Sequence, residues 1–205
     1  MIDPLFLAEL NERLFVQFVG GRWMAPLGER HLRALPLEGA RMGRLVCAGP
    51  GDIARARLGM EPTAVQGSGL GAAYAPLRRM LQDLRRVEGF DDPVDAPMPL
   101  ALPGLGPLVL LSAAGTPVSD VAAVLFAGAA RGVLWKPAPR AAASAHLLMR
   151  ALGPLAGGNL ALVQGDHQTG ALAAGQGALV WASPAAVPPG LAPVLSLAAR
   201  VPPRR

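Results

Sequence analysis

The side chain with the most distinctive chemical position is Lys136, because it is the only lysine in the chain and the other eighteen basic residues are arginines. It follows an apolar run in "GVLWKPAPR". At the carboxyl end of a parallel strand, an ammonium group can donate hydrogen bonds to ribose hydroxyls or to a phosphate. The alternative is a solvated charge at a strand end. The local sequence favours a ligand-binding role for Lys136.

Two other places could carry chemistry. Cys47, in "LVCAGPGD", is a thiol nucleophile only if His31, His146 or His167 approaches it in space, and a buried strand cysteine is the favoured interpretation. His167 follows a strand in "VQGDHQTG" together with Asp166, and either residue could touch a ligand or only meet water. One cysteine excludes an internal disulfide and cannot form a zinc cage by itself, so we expect no metal.

The stretch "GSGLGA", Gly67 to Ala72, satisfies the pattern G-x-G-x-x-A of dinucleotide-binding loops. That chemistry requires a strand directly before the first glycine. The preceding "MEPTAVQ" contains Pro62 and only a short apolar piece. We therefore interpret the stretch as a flexible linker into a helix that begins at Ala72.

The elements that must position these side chains fall into two parts. In the first part, Gly20-Gly21 predicts a hairpin, "GRLVCAG" a short strand, and "GDIARARLG" a helix that starts at Asp52 and ends at Gly59. Apolar residues spaced three and four apart predict a helix over 72–88. The proline-rich stretch after it is interpreted as a connection or an edge hairpin.

From Pro107 onward, apolar strands bounded by glycines alternate with helical segments. This alternation is typical of βαβ units on a parallel sheet and predicts an α/β, Rossmann-like fold flanked by helices. We divide the chain into an N-terminal helix, hairpin and helical region (1–106), a Rossmann-like core (107–184) and a proline-rich C-terminal tail (185–205) that contains a short strand or helix.

Composition limits the function classes. The chain has 205 residues, of which 52% are apolar and 4% aromatic, so it can bury a core built from Ala, Leu and Val. The net charge is +5, but the arginines are scattered, and "LRRMLQDLRR" is interpreted as a solvated helix face; we expect no nucleic-acid partner. Two long runs, 96–119 and 167–199, contain no Asp, Glu, Lys or Arg, but prolines interrupt both, so we expect no membrane partner. The N-terminus lacks a signal-peptide pattern, so we expect a cytoplasmic protein.

The segment from Pro107 to Ser183 resembles the cofactor-binding domain of the aldehyde dehydrogenase superfamily. It contains "SAAGTP", "VLWKPAPR", "LALVQGDHQTG" and "LVWASP" in the family's order and at similar spacing, and "LFVQFVGGRWMAP" is similar to the family's opening. The resemblance implies that Lys136 contacts the adenosine ribose or the 2′-phosphate of NAD or NADP. It places Pro137, Gly165 and Ser183 at cofactor-binding positions as well.

The same resemblance implies that several functional side chains of the family are replaced or missing in this sequence. The family's ribose-binding acid falls on Pro139, the oxyanion-binding asparagine on Gly115, and the Gly-Ser pair near the pyrophosphate on Ser183 and Pro184. Removing a side-chain donor to an oxyanion costs about 3 kcal/mol in acyl chemistry. The family's general-base glutamate and nucleophilic cysteine lie downstream of the matched segment, and Cys47 does not match. We therefore predict no catalytic residue, and NAD or NADP binding that is weak or lost.

Three functions remain open from the sequence. The preferred one is a non-catalytic interaction or regulatory module that forms homo-oligomers or pairs with a full-length aldehyde dehydrogenase relative. The second is an NAD(P)-binding or other adenine-nucleotide-binding module that depends on Lys136. The third is an oxidoreductase subunit that a partner chain completes with the cysteine and the glutamate.

Overall fold

A computed structural model describes residues 5, 8, 16–32, 36–37, 40–41, 45–60 and 67–197. Its strands, numbered β1 to β11 in chain order, are Gln17–Val19, Arg22–Met24, His31–Leu32, Pro36–Leu37, Ala40–Arg41, Leu45–Val46, Leu108–Ser112, Val133–Pro137, Leu160–Leu162, Ala178–Ala182 and Leu195–Ser196. Its helices, numbered α1 to α6, are Pro50–Leu58, Gly67–Tyr74, Arg78–Val87, Val118–Gly128, Ala142–Leu152 and His167–Ala174. Short 3-10 turns cover Ala75–Leu77, Pro139–Ala141 and Gly153–Ala156.

The main sheet has seven strands in the order β11-β10-β7-β8-β9-β1-β2. Strands β9, β8, β7, β10 and β11 run parallel, whereas β1 pairs antiparallel with β9 and with β2. All five residues of β7 and of β8 are buried, as expected for strands whose two faces are both covered by helices. This arrangement confirms the predicted α/β fold, and the hairpin between β1 and β2 turns at Gly20 and Gly21, both at positive φ.

Alternate side chains of the central strands enter two separate cores. Leu108, Leu110, Val133 and Trp135 face the helices α2 to α5. Val109, Leu111 and Leu134 face α1 and α6, together with Ile53, Ala56 and Ala173. The residue after Trp135 therefore points to the side of α6, and that residue is Lys136.

Several predicted element limits are wrong. Helix α1 begins at Pro50, and Asp52 lies in its first turn, where its Oδ2 accepts a hydrogen bond from the Gly49 backbone N–H (3.0 Å). The helix expected over 72–88 is divided at Ala75–Leu77, because Pro76 removes a backbone donor and favours the tighter 3-10 turn there. The stretch from Gly67 is helical and not a flexible linker.

The carboxyl-terminal part of the described chain adds to the sheet. Leu195 pairs with Val180 and Ser196 with Trp181, in parallel. The proline-rich stretch 90–107 contains no helix or strand, so it is a connection and not an edge hairpin. In the described ranges, no helix combines the length and the apolar character that a bilayer crossing requires.

Candidate functional site

The four residues proposed to bind a cofactor all lie at the carboxyl edge of the parallel sheet. Lys136 and Pro137 end β8, Gly165 lies between β9 and α6, and Ser183 directly follows β10. Carboxyl ends of parallel strands meet at one edge, and ligands of open α/β sheets bind there. The fold therefore places the four positions at one edge of the sheet, where β8 and β7 separate the strands that precede Gly165 and Ser183.

Lys136 is buried, with 7% of its surface exposed. It lies in register with Leu111 on β7 and points to the side of α6, where a Cβ atom on Gly170 would be 3.9 Å from the Cδ of Lys136. Within the described part of the chain, no residue forms a hydrogen bond or an ion pair with its Nζ. Burial lowers the pKa of Lys136 to about 8, and the negative charge of Asp166 opposes this effect.

The carboxylate of Asp166 is committed to other partners. Asp166 is the N-cap of α6, where its Oδ1 accepts from the Thr169 backbone N–H (3.1 Å). Both of its oxygens also accept from the guanidinium of Arg30, and this pair holds the pKa of Asp166 below its usual range. The sequence did not predict this role of Arg30. The residue lies 136 positions from Asp166, and the sequence around Arg30 matches no known motif.

Gly165 is required by the geometry of the turn into α6. Its φ is +155°, and a Cβ atom at this position would overlap the Oγ1 and Cβ of Thr169. The Thr169 hydroxyl in turn donates to the backbone oxygen of Ala48 (3.0 Å). The glycine thus allows the main chain to pass tightly over Thr169, and it fixes the start of α6 beside the segment that leads into α1.

Cys47 lies on the Lys136 side of the sheet, in the segment that leads into α1. It is 1% exposed, and its backbone N–H donates to the oxygen of Arg30 (2.7 Å). Its neighbour Ala48 receives the Thr169 hydrogen bond, which anchors this segment to α6. Cys47 is therefore a buried thiol, as the sequence favoured, and it adjoins the candidate ligand edge. His167 is exposed at the start of α6.

The crevice between β7 and β10, where the strand order reverses, is bridged by hydrogen bonds. The backbone N–H of Ala113 (2.8 Å) and the hydroxyl of Thr116 (2.6 Å) both donate to the oxygen of Ala182. Beside them, the Oγ of Ser183 accepts from the Ala185 backbone N–H (3.1 Å). The hydroxyl of Ser183 can still donate one hydrogen bond, but its acceptor capacity is partly used within its own turn.

On the opposite side of the sheet, a buried ionic cluster holds the loop after β7. The guanidinium of Arg85 (1% exposed) donates to the oxygens of Ala114 (2.8 Å) and Thr116 (3.4 Å). The same group pairs with Glu88 (3.2 Å) and Asp92 (3.0 Å). The expectation of a solvated face for "LRRMLQDLRR" is therefore wrong at Arg85. Its guanidinium is buried and donates hydrogen bonds to two loop carbonyls and two carboxylates.

Glu88 links that cluster to α5. Its Oε1 accepts from the backbone N–H of Ser144 (2.8 Å) and its Oε2 from the Ser144 hydroxyl (2.9 Å). Burial raises the pKa of Glu88, and the charge of Arg85 opposes this effect. The loop residue Gly115 lies against Phe90, since a Cβ atom there would be 3.5 Å from the ring. Gly115 offers no side-chain donor at this position.

The chain is similar in structure to solved aldehyde dehydrogenases. Aldehyde dehydrogenase C from Pseudomonas syringae, solved with NAD⁺ and octanal, is 15% identical and superposes with a TM-score of 0.63 over 88% of this chain and 46% of the other. Betaine aldehyde dehydrogenase from Staphylococcus aureus, solved with NAD⁺, is 13% identical, with a TM-score of 0.60 over 85% of this chain and 46% of the other.

A third structure, the pyrroline-5-carboxylate dehydrogenase of Mycobacterium tuberculosis, is 17% identical and has a TM-score of 0.59 over 87% of this chain and 45% of the other. The chain thus spans a little under half the length of the solved structures it matches. No protein-family model and no curated protein matches the sequence. The likeness therefore concerns the fold, and it confirms the resemblance to aldehyde dehydrogenases at that level.

Proposed function

We propose that this chain is a non-catalytic module of aldehyde dehydrogenase fold that binds an NAD(P)-class nucleotide through Lys136. The observation that carries the proposal is the Lys136 side chain, which is 7% exposed at the carboxyl edge of the sheet and has no acceptor among the described residues. A largely desolvated ammonium is stabilised by an acceptor, and the ribose or phosphate of a nucleotide supplies one. The NAD⁺ bound in two of the similar structures supports this class of ligand.

The residues present fit the adenosine end of such a nucleotide better than its other end. Lys136 can donate to a ribose hydroxyl or to a 2′-phosphate. Pro137 and Pro139 have no side-chain polar group, and the Ser183 oxygen already accepts from Ala185. We therefore expect weak binding, with dissociation constants of about 0.1 to 1 mM.

A bound nicotinamide nucleotide would supply a hydride acceptor, but the described residues offer little for aldehyde oxidation. Gly115 provides no donor for an oxyanion. The thiol of Cys47 is buried on the Lys136 side of the sheet, whereas the loop of Gly115 is held by Arg85 on the other side. These positions support a role without aldehyde turnover.

A second candidate is assembly, either with another copy or with a full-length aldehyde dehydrogenase, which makes the chain an interaction or regulatory module. It is favoured by the two edges of the main sheet, because β2 and β11 each have only one hydrogen-bonded neighbour among the described strands. A variant of this candidate is an oxidoreductase that a partner chain completes. The buried free thiol of Cys47 is compatible with the cytoplasmic location that we propose.

Calorimetric titration with NAD and NADP tests the nucleotide proposal. We expect wild-type protein to bind, Lys136→Ala to lose at least tenfold in affinity, and His167→Ala to bind like wild type, because His167 is an exposed residue at the same edge. Equal affinities of wild type and Lys136→Ala would reject the proposed role of Lys136.

Turnover and assembly need separate measurements. Reduction of NAD or NADP by the purified protein in the presence of aldehydes would contradict the proposal that the chain is non-catalytic. Light scattering after size-exclusion chromatography, alone and with a complete aldehyde dehydrogenase, tests the second candidate. A monomer that forms no complex with that enzyme would reject assembly.

A further inference from the structure

We infer that one water molecule is bound inside the protein, in a small cavity behind the loop that follows β7, and that it links α3, β7 and α5. Trp135 lines this cavity, so the site lies on the opposite face of the sheet from Lys136 and does not depend on nucleotide binding. Three features carry the inference: the size of the cavity, a buried donor of Arg85 that lacks an acceptor, and two serine hydroxyls that can form further hydrogen bonds.

The cavity lies between the sheet, α4 and α5. Its apolar wall is formed by Trp135 of β8, Val118 and Val121 of α4, and Leu148 of α5. Each of these residues is at most 4% exposed. The space that a water molecule can occupy in the cavity is about 10 Å³, and one buried water needs roughly 10 to 15 Å³. The cavity therefore fits a single water and is too small for an organic ligand.

Arg85 supplies a donor at this cavity. A guanidinium group has five N–H donors. Four hydrogen bonds use its two Nη atoms, and their acceptors are Glu88 (3.2 Å), Ala114 (2.8 Å), Asp92 (3.0 Å) and Thr116 (3.4 Å). The Nε–H is buried as well, and no described residue accepts a hydrogen bond from it. Because a buried donor without an acceptor destabilises the folded state, we expect a further acceptor beside Arg85.

Two serines supply the remaining partners. Ser112 and Ser144 line the cavity together with Arg85, and they are 7% and 3% exposed. The Oγ of Ser112 accepts from the indole N–H of Trp135 (2.9 Å), which leaves its own O–H to donate. The hydroxyl of Ser144 donates to Glu88 (2.9 Å), which leaves its oxygen able to accept. A water that accepts from Arg85 and Ser112 and donates to Ser144 forms about three hydrogen bonds, as buried waters typically do.

This water has a defined role in holding the loop 113–116. Arg85 donates to the carbonyls of Ala114 and Thr116 in that loop. On its other side, the loop donates to the oxygen of Ala182 across the crevice between β7 and β10. The bound water completes the hydrogen bonding of Arg85, and it thereby fixes the guanidinium that positions the loop.

The Nε–H of Arg85 is a direct NMR probe of this site. In ¹⁵N-labelled protein, its proton is assigned through bonds, and its cross-peak with water is recorded in NOESY and ROESY spectra. We expect a ROESY cross-peak of opposite sign to the diagonal, which marks a contact with a bound water, whereas proton exchange gives the same sign. Arg86, whose side chain is 60% exposed, is the control and should show no such contact.

A matched pair of substitutions on α4 gives a second test. Val121 lines the cavity, whereas Val124 is fully buried and does not line it. In Val121→Thr the new hydroxyl can bond to the water, but in Val124→Thr it enters the apolar core. We expect the equilibrium constant of unfolding, measured by urea titration, to rise at least tenfold more in Val124→Thr than in Val121→Thr. Equal rises, or the absence of the water contact at Arg85, would overturn the inference.

Discussion

The carboxylate of Asp166 forms an ion pair with Arg30, a residue that lies 136 positions away in the sequence. Both side chains are partly exposed, with 27% and 45% of their surfaces accessible. Asp166 caps α6, and its charge also raises the pKa of Lys136. The carboxylate that acts on the lysine is thus already paired with Arg30.

Replacing Arg30 should therefore change the titration of Lys136. In Arg30→Gln the Asp166 carboxylate loses its main partner and becomes available to the ammonium, so we expect the pKa of Lys136 to rise from about 8. With lysine labelled by ¹³C, the protein gives one lysine side-chain signal, whose midpoint can be followed by NMR. Arg22→Gln is the control, because no ion pair joins Arg22 to Asp166 in the described ranges. An unchanged midpoint in Arg30→Gln would contradict this coupling.

The buried charge of Lys136 should cost stability. Its pKa is about 8 in the folded protein and near 10.5 in the unfolded chain, so the unfolded chain binds more protons between these values and stability rises with pH across this window. We expect Lys136→Met to increase the free energy of unfolding at pH 7 by about 2 kcal/mol.

Denaturant unfolding at several pH values between 7 and 10 measures this difference. It should shrink as pH rises, because the wild-type lysine becomes neutral in the folded protein. Lys136→Arg, which stays charged, should be less stable than Lys136→Met at every pH. A Lys136→Met variant no more stable than wild type at pH 7 would show that the ammonium has partners in solution.

Part of this arrangement could be predicted from the sequence. Strands bounded by glycines placed Lys136, Gly165 and Ser183 at one edge, because the direction of parallel strands follows from the βαβ pattern. The burial of Lys136 and its lack of a described partner could not be predicted, since they depend on the distant chain around Cys47 and on the Arg30 to Asp166 pair. Periodicity treats every arginine as a surface residue, so it also could not distinguish Arg85 from Arg86.

Glycine at position 165 should be essential to the start of α6. In Gly165→Ala the new methyl group overlaps Thr169, so the hydrogen bond from Thr169 to Ala48 must break or the turn must move. We expect a loss of about 2 to 4 kcal/mol. Gly175→Ala is the matched control, because no atom lies within 4 Å of a Cβ atom there and its φ is −77°. Thermal unfolding of both variants tests this, and equal midpoints would contradict it.

Arg85 and Arg86 are adjacent in sequence and should differ strongly in their contribution to stability. Arg85 is 1% exposed, and its guanidinium pairs with Glu88 and Asp92 and donates to two loop carbonyls. The side chain of Arg86 is 60% exposed and pairs with Asp83 and Asp91 at the surface. Removing one partner of a buried ion pair leaves the other charges uncompensated. We expect Arg85→Met to lower the free energy of unfolding by about 3 to 5 kcal/mol and Arg86→Met by less than about 0.5 kcal/mol. Urea titrations of both variants measure the two losses, and similar values would show that the Arg85 cluster is hydrated and weak in solution.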